Sequence, residues 1–395
     1  MIDSQNYIHY FAEEDLEDYG NDGLYPVEIG DKFHDGRYCV RNKLGFGANS
    51  TVWVAQDNVE NRLVTLKIIK AKHSQGNREL AVLQRLQQGS RSHPGHRHIP
   101  QLLGHFYEGK IGNKNLFIVL ELLGPRVLTV LDCREDLLEF SQQLSKQLLL
   151  AIDYLHSHGV VHGVDIHINN ILFRLPTDCP MAIGDVKKKK VQRIDGGPIE
   201  AGLPTYIVKS MDDDALLDHP NMDEQDWIRQ FECIQLIDFS SSFLDHEITT
   251  RIHVPANMTP PELLFNKPVT KSVDIWSLAC TVYHFIRGTP LLITVFGGLE
   301  LVPQMHKLLG ESSAHWLLTA LFDSMDDIKS ELEHILGMPE ISQSSPFEEY
   351  LAKQVDKKDI GKVIDFLRAA LVVDPAKRAT TQELQRQAWI LEEGS

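Results

Sequence analysis

Residues 159–173 read GVVHGVDIHINNILF. The stretch holds Asp165 and, five positions on, Asn170, framed by the apolar pairs Val160–Val161 and Ile171–Leu172. That frame predicts two short buried strands with a polar loop held between them. Taken alone it can also be read as nothing more than a polar loop joining two core strands. The rest of the chain has to decide between the two readings.

The chain has 395 residues, enough for one large two-lobed unit or for two to three small domains. An apolar content of 43% supports an ordinary core. The five cysteines, at positions 39, 133, 179, 233 and 280, are scattered and show no metal-ligand or redox spacing. They are expected to be reduced packing residues in a cytoplasmic or nuclear protein. The N-terminus is acidic with no apolar signal region, and no run of residues is long and apolar enough to span a bilayer. No membrane partner is therefore expected. The formal charge of −16 argues against nonspecific nucleic-acid binding. It suits a basic partner, and equally it suits ordinary solubility.

Residues 1–37 are acidic and rich in Gly and Asp, and read as an extended lead-in that docks its apolar side chains on the first lobe. In Tyr38–Asp57, apolar residues alternate on both sides of a Gly-rich turn, which predicts a hairpin. Gly45 and Gly47 would let a backbone come close to phosphate groups. The strand Leu63–Ala71 carries Lys67 inside an apolar run, where an ammonium needs an anion. Residues 78–86, RELAVLQRL, have helical spacing, and Glu79 is the natural partner for Lys67. A His-rich turn (92–98) follows, then a buried strand and hinge at 115–124. A long helix is expected at 136–158, with Leu144, Leu148, Ile152 and Leu155 in one stripe.

Residues 174–232 interrupt the pattern with a basic run, Lys187–Lys190, and an acidic one, Asp212–Asp214. They read as an insert or spacer whose first half is largely mobile. The lysine run is expected to be a solvated loop rather than a nuclear-import patch. Order returns with FECIQLIDFSSSF and its Asp238. Downstream lie Pro260-Pro261-Glu262, an apolar helix at 271–286 with Asp274 and Trp276 near its start, and Arg378 ahead of a last helix at 381–391.

Taken in order, these segments resemble a eukaryotic-type protein kinase over residues 38–391. The fold that this implies is α+β and bilobal. A small β-rich N-lobe with one main helix would occupy 38–123, and a larger, mostly helical C-lobe 124–391, with 174–232 as an insert. ATP and Mg²⁺ would be the cofactors. Asp165 would be the catalytic base, with Asn170 and Asp238 holding the metal. Lys67 would anchor the phosphates, fixed by Glu79. Leu44, Gly45, Gly47, Ser50 and Val52 would form the loop that covers the nucleotide. The backbone of Glu121–Leu123 would meet the adenine, with Leu120 lining the back of its pocket. Asp274 would steady the catalytic loop, and Glu262 would pair with Arg378.

Within that family the sequence is similar to the SR-protein kinases, especially the fungal ones. The carriers are YPVEIGDKFHDGRYCVRNKLGFG, the STVW after the Gly-rich turn, the hinge LELLG, the insert, and FGGLELVPQMHKLLG at 296–310. The resemblance implies a serine/threonine kinase acting on Arg/Ser-rich proteins of mRNA splicing regulation. It would be a monomer, located in the cytoplasm, the nucleus or both.

The sequence also departs from the pattern. His162 lies three residues before Asp165 rather than two, so Gly163 or Val164 must bulge or shift the turn. No Arg precedes Asp165, which implies activity without activation-loop phosphorylation. His167 stands where a Lys normally contacts the transferred phosphate, which implies slower chemistry. Ser240 replaces a Gly and restricts the backbone, and Met258-Thr259 replace Tyr-Arg. A pseudokinase that binds nucleotide as a scaffold is the alternative reading. A small-molecule phosphotransferase with an H-G-D-x-H-x-x-N loop is a more distant one.

Overall fold

The computed structural model describes residues 4–8, 13–110, 113–176, 185–217, 221–247, 254–294, 298–310, 316–317, 351–352, 355 and 359–391. The chain divides into two compact units. One is drawn from residues 1–87, 100–125 and 173–232, the other from 88–99, 126–172 and 233–395.

The first unit is built on a sheet of β1 (Lys32–Phe33), β2 (Tyr38–Gly47), β3 (Ser50–Asp57), β4 (Arg62–Ile69), β5 (Leu102–Lys110) and β6 (Asn113–Glu121). Every neighbouring pair is antiparallel, in the order β1-β2-β3-β4-β6-β5. Alternation along the strands sorts the side chains. Val64, Leu66 and Ile68 of β4 are fully buried and join Val40, Ala55, Phe117 and Val119 in one core. Phe33, Tyr38, Phe106 and Phe117 close that core with ring-to-ring contacts. Helix α1 (Arg78–Gln87) buries Leu80, Val82, Leu83 and Leu86. The expected hairpin forms, but its glycines are not in the turn. Gly47 pairs with Ser50, so Ala48 and Asn49 make the turn while Gly45 and Gly47 end β2.

The lead-in docks as expected, with Val27 buried in the sheet core and Tyr25 and Ile29 packed against it, whereas the insert departs from expectation. The lysine run is solvated as expected, but it is a strand rather than a loop. Lys188–Lys190 forms a strand paired antiparallel with Tyr206–Val208. Val191 and Leu203 of the insert share a small core with Tyr7, Leu16, Tyr19 and Leu24 of the lead-in. The Ile8 and Ile194 amides complete the joint by donating to Gln192 and Asn6 carbonyls, each at 2.9 Å. Residues 185–208 thus carry a strand pair and cluster with the first unit. Their apolar residues are too sparse to show a period of 2 or 3.6, and the partners that bury them lie far away in sequence. Later in the insert, Glu224–Ile228 forms a short helix capped by Asp223. Residues 177–184 lie outside the described residues.

The second unit is mostly helical. In Leu137–Ser157 the predicted stripe of Leu144, Leu148, Ile152 and Leu155 has no solvent exposure. Ser272–Arg287 is buried along almost its whole length and ends at Gly288, whose φ of 67° caps it. The helix Leu301–Leu309 occupies most of the 296–310 segment, of which 296–297 lie outside the described residues. Ile360–Ala370 follows. The single last helix expected at 381–391 is instead two, Thr381–Leu384 and Ala388–Leu391. Between them the chain tightens, with the Arg386 and Gln387 amides donating three residues back to Glu383 and Leu384.

Cys39, Cys133, Cys233 and Cys280 are free thiols, and Cys179 lies outside the described residues. Burial pushes the Cys280 thiol up to about 12, which removes it from thiolate chemistry.

Candidate active site

In the first unit, β4 turns Lys67 away from the face that buries Leu66 and Ile68. Its Nζ meets Glu79 Oε1 at 2.8 Å, with the two side chains 12% and 4% exposed. Glu79 sits in the first turn of α1, where the helix dipole favours a carboxylate. Asn77 starts that turn, its Oδ1 accepting the Leu80 amide at 2.9 Å. Across the sheet Lys67 faces Val52 and Ile118.

The segment ahead of Val52 is irregular. The β2–β3 register shifts between Lys43 and Gly45, which leaves Leu44 as the bulged residue. A Cβ on Gly45 or Gly47 would meet no heavy atom within 4 Å, so a ligand can approach the bare backbone there. Ser50 is buried and Val52 half-buried. At the hinge, the backbone of Glu121 is the part expected to meet a ligand, and its side chain is engaged elsewhere. Its carboxylate accepts the Gln101 amide at 2.7 Å and pairs with Arg174 at 3.4 Å. Leu123 is buried at the start of the next strand, Leu123–Arg126, while Leu120 is half-buried.

The 159–173 stretch, which lies in the second unit up to Leu172, forms the expected frame. Val160–Val161 pairs with Phe243–Leu244, Ile168–Asn170 makes one tight helical turn, and Ile171–Arg174 is a strand. The extra residue is absorbed by two consecutive left-handed positions, Gly163 at φ 95° and Val164 at φ 70°. A β-branched residue held there costs roughly 1–3 kcal/mol, and the surroundings compensate for it. Val164 is fully buried. Asp274, also fully buried, accepts the His162 amide at 2.9 Å and the Gly163 amide at 3.0 Å. Its Oδ2 also meets His156 Nε2 at 2.9 Å. Thr281 donates its hydroxyl to the Ile166 carbonyl at 2.7 Å. The loop therefore hangs from one helix on both sides of the irregular turn.

Within the loop, Asn170 Nδ2 donates to the Asp165 carbonyl at 3.0 Å, and His167 Nε2 lies 3.2 Å from Asp165 Oδ1. His167 Nδ1 accepts the Asn169 amide at 3.3 Å, which places the ring proton on Nε2, toward the carboxylate. The Ile237 amide donates to the Asn170 carbonyl at 2.9 Å and so sets Asp238 beside the loop. Asp238 itself has φ 63°, and its Oδ1 accepts the Ser240 amide at 3.3 Å. The left-handed strain falls on Asp238 and not on Ser240, so a Ser is tolerated at 240. Phe239 is buried with its ring 5.2 Å from His162, whose Nε2 donates to the Ile237 carbonyl at 3.1 Å. Asn170 donates from its amide nitrogen to the Asp165 carbonyl, and its side-chain oxygen and the Asp238 carboxylate are the oxygen donors that the two segments supply. Such an oxygen-only pair fits a hard divalent cation that keeps water and phosphate ligands.

Sequence reasoning did not find His156 or Thr281. A signal for Thr281 exists, because it lies seven residues after Asp274 and so falls on the same helix face. On the kinase resemblance, His167→Lys, which puts a fixed positive charge at this position, is expected to raise the phosphoryl-transfer rate about tenfold. Rates measured at saturating nucleotide check this.

A profile described as the protein kinase domain matches residues 38–186 and 219–390. Protein kinase dsk1 of Schizosaccharomyces pombe is 36% identical over 173 residues, which is 42% of this chain and 32% of that protein. SRSF protein kinase 3 of Mus musculus is 35% identical over 166 residues, 40% of this chain and 29% of that protein. The chain thus spans about a third of the length of these two relatives. A crystal structure of a kinase domain superposes with a TM-score of 0.62 at 19% identity, covering 93% of this chain and 98% of that one. The α+β fold expected from the sequence is therefore the fold found. The likeness to SR-protein kinases also stands. Nothing in these matches supports a nucleotide-binding scaffold, and a small-molecule phosphotransferase does not fit the matched profile.

Proposed function

We propose that this chain, which belongs to the protein kinase domain family, is an ATP-dependent serine/threonine kinase acting on Arg/Ser-rich protein segments. The observation that carries this reading is the Asp165–Asn170 loop. It keeps both side chains in a fixed frame, suspended from Asp274 and Thr281, despite one extra residue. In the proposed reaction the serine hydroxyl oxygen bonds to the γ-phosphorus while the bond to the bridging oxygen breaks. Asp165 orients the hydroxyl and takes its proton. Lys67, held by Glu79, anchors the α/β-phosphates, and the hairpin around Gly45 and Gly47 covers them. A Mg²⁺ ion held by Asn170 and Asp238 would supply charge neutralisation at the phosphate oxygens. The net charge of −16 favours guanidinium-rich substrates, which need carboxylates to dock on.

Transfer from labelled ATP·Mg²⁺ to an Arg-Ser repeat peptide, beside a neutral Ser peptide and no peptide, tests the reading. Preference for the Arg-Ser peptide is expected. Nucleotide binding without transfer to any peptide would overturn it. We further propose a monomer that contacts neither nucleic acid nor membrane and works in the cytoplasm, the nucleus or both. No helix of the described residues is long and apolar enough to cross a membrane. Elution at the size of one chain checks the monomer.

A further inference from the structure

Lys43 is a fully buried lysine outside the proposed catalytic set. Its Nζ meets Glu13 Oε2 at 2.8 Å, Glu14 Oε2, and the Val208 carbonyl at 3.2 Å. Its own carbonyl accepts the Met211 amide at 2.9 Å. The two carboxylates are themselves fixed. Ser210 donates its amide and its hydroxyl to Glu13, each at 2.8 Å, and the Tyr19 hydroxyl donates to Glu14 at 2.7 Å. Burial, with Glu14 second, holds the Tyr19 phenol well above its usual range, so it stays a donor. Lys43 is also the last paired residue of β2 before the Leu44 bulge and the two glycines.

The far side of the hairpin is tied to the same segment. The Asn49 carbonyl accepts the Lys70 amide at 2.9 Å, and the Lys70 ammonium pairs with Asp18. The Ala71 and Lys72 amides donate to the Gly23 and Asp22 carbonyls. Between these ties, a Cβ on Gly45 or Gly47 would meet no heavy atom within 4 Å beyond its own residue and its chain neighbours. The Gly-rich hairpin is therefore fixed at its base and its tip, and both anchors lead to the acidic residues 13–18.

We propose that the acidic segment Glu13–Asp18 sets the position of the Gly-rich hairpin through Lys43 and Lys70, so that ATP affinity depends on it. The proposal rests on the kinase reading above, in which this hairpin covers the phosphates. A buried ion cluster contributes little net stability, but it holds one geometry. Setting the height of a nucleotide cover calls for that property.

The test uses the full chain with ATP and an Arg-Ser peptide. Glu13→Gln with Glu14→Gln keeps shape but removes both charges, and is expected to raise the ATP KM about tenfold. The kcat should stay within about twofold and the peptide KM should not move. The double variant leaves Lys43 buried without an anion and lowers stability, so adding Lys43→Met leaves no charge unpaired and should return Tm toward the parent value. In that triple variant the ATP KM stays raised if the cluster positions the hairpin. Recovery of the ATP KM together with Tm would show a merely structural role and overturn the proposal. An unchanged ATP KM in the double variant, with an active parent, overturns this inference alone. A parent chain that neither binds ATP nor transfers phosphate overturns the kinase reading and this inference with it.

Discussion

Replacing Asp165 with Ala is expected to cut phosphoryl transfer by about 10³-fold or more while nucleotide affinity changes less than about twofold. The separation follows from how the loop is held. Asn170 bonds the main-chain carbonyl of Asp165, and Asp274 and Thr281 grip main-chain atoms on either side. Removing the Asp165 carboxylate therefore leaves the loop in place. The side chain loses only its approach to His167, which is partly exposed and can turn to water. Asp165→Asn sharpens the test, since an amide can orient a hydroxyl but cannot take its proton. Single-turnover transfer and nucleotide titration on the same samples give both numbers. Retention of more than a tenth of the rate in the Ala variant would remove Asp165 from the role of base.

The second large effect is on stability. Glu262 and Arg378 are fully buried and meet through two hydrogen bonds of 2.8 and 3.0 Å. Arg378 also donates to the Val372 carbonyl at 3.0 Å and the Ser272 carbonyl at 2.8 Å, and stacks on Trp276 at 5.2 Å. The pair thus joins the Pro261–Leu264 helix, the Ser272–Arg287 helix and the segment before Thr381. Glu262→Gln leaves a buried guanidinium without its anion, and is expected to cost about 3–5 kcal/mol. Arg378→Leu should cost at least as much, because it strands a carboxylate and two carbonyls together. Denaturant midpoints followed by a probe in the helical unit measure both. A loss below about 1 kcal/mol for Glu262→Gln would mean that water reaches the pair.

What could be read from the sequence was whatever one element decides alone. Lys67 in an apolar strand demanded an anion, and Glu79 at the start of the next helix was its natural partner. The stripe in Leu137–Ser157 follows from helical spacing, and the 159–173 frame from two apolar pairs around a polar loop. What could not be read depends on distant partners. Val164 takes a left-handed conformation because Asp274 and the surrounding core hold it there, and nothing in the residues beside it says so. The strand in the lysine run was hidden because its partner, Tyr206–Val208, lies beyond a Gly-rich connection. Gly45 and Gly47 suggested a turn by type, whereas register put the turn on Ala48 and Asn49.

The interleaving of the two units also bears on how the protein emerges from the ribosome. Lys43 waits for a carbonyl 165 residues downstream, and the Tyr7 hydroxyl for an amide 193 residues downstream. Both partners are translated after the Leu137–Ser157 helix, which belongs to the other unit. At about 5–20 residues per second, the nascent sheet stays uncovered on that side for roughly ten seconds or more. During that interval the carboxylates of residues 13–18 have no insert to close over them. Strict N-to-C completion of domains is therefore closed to this chain, and the first unit to start is not able to finish before the second has begun.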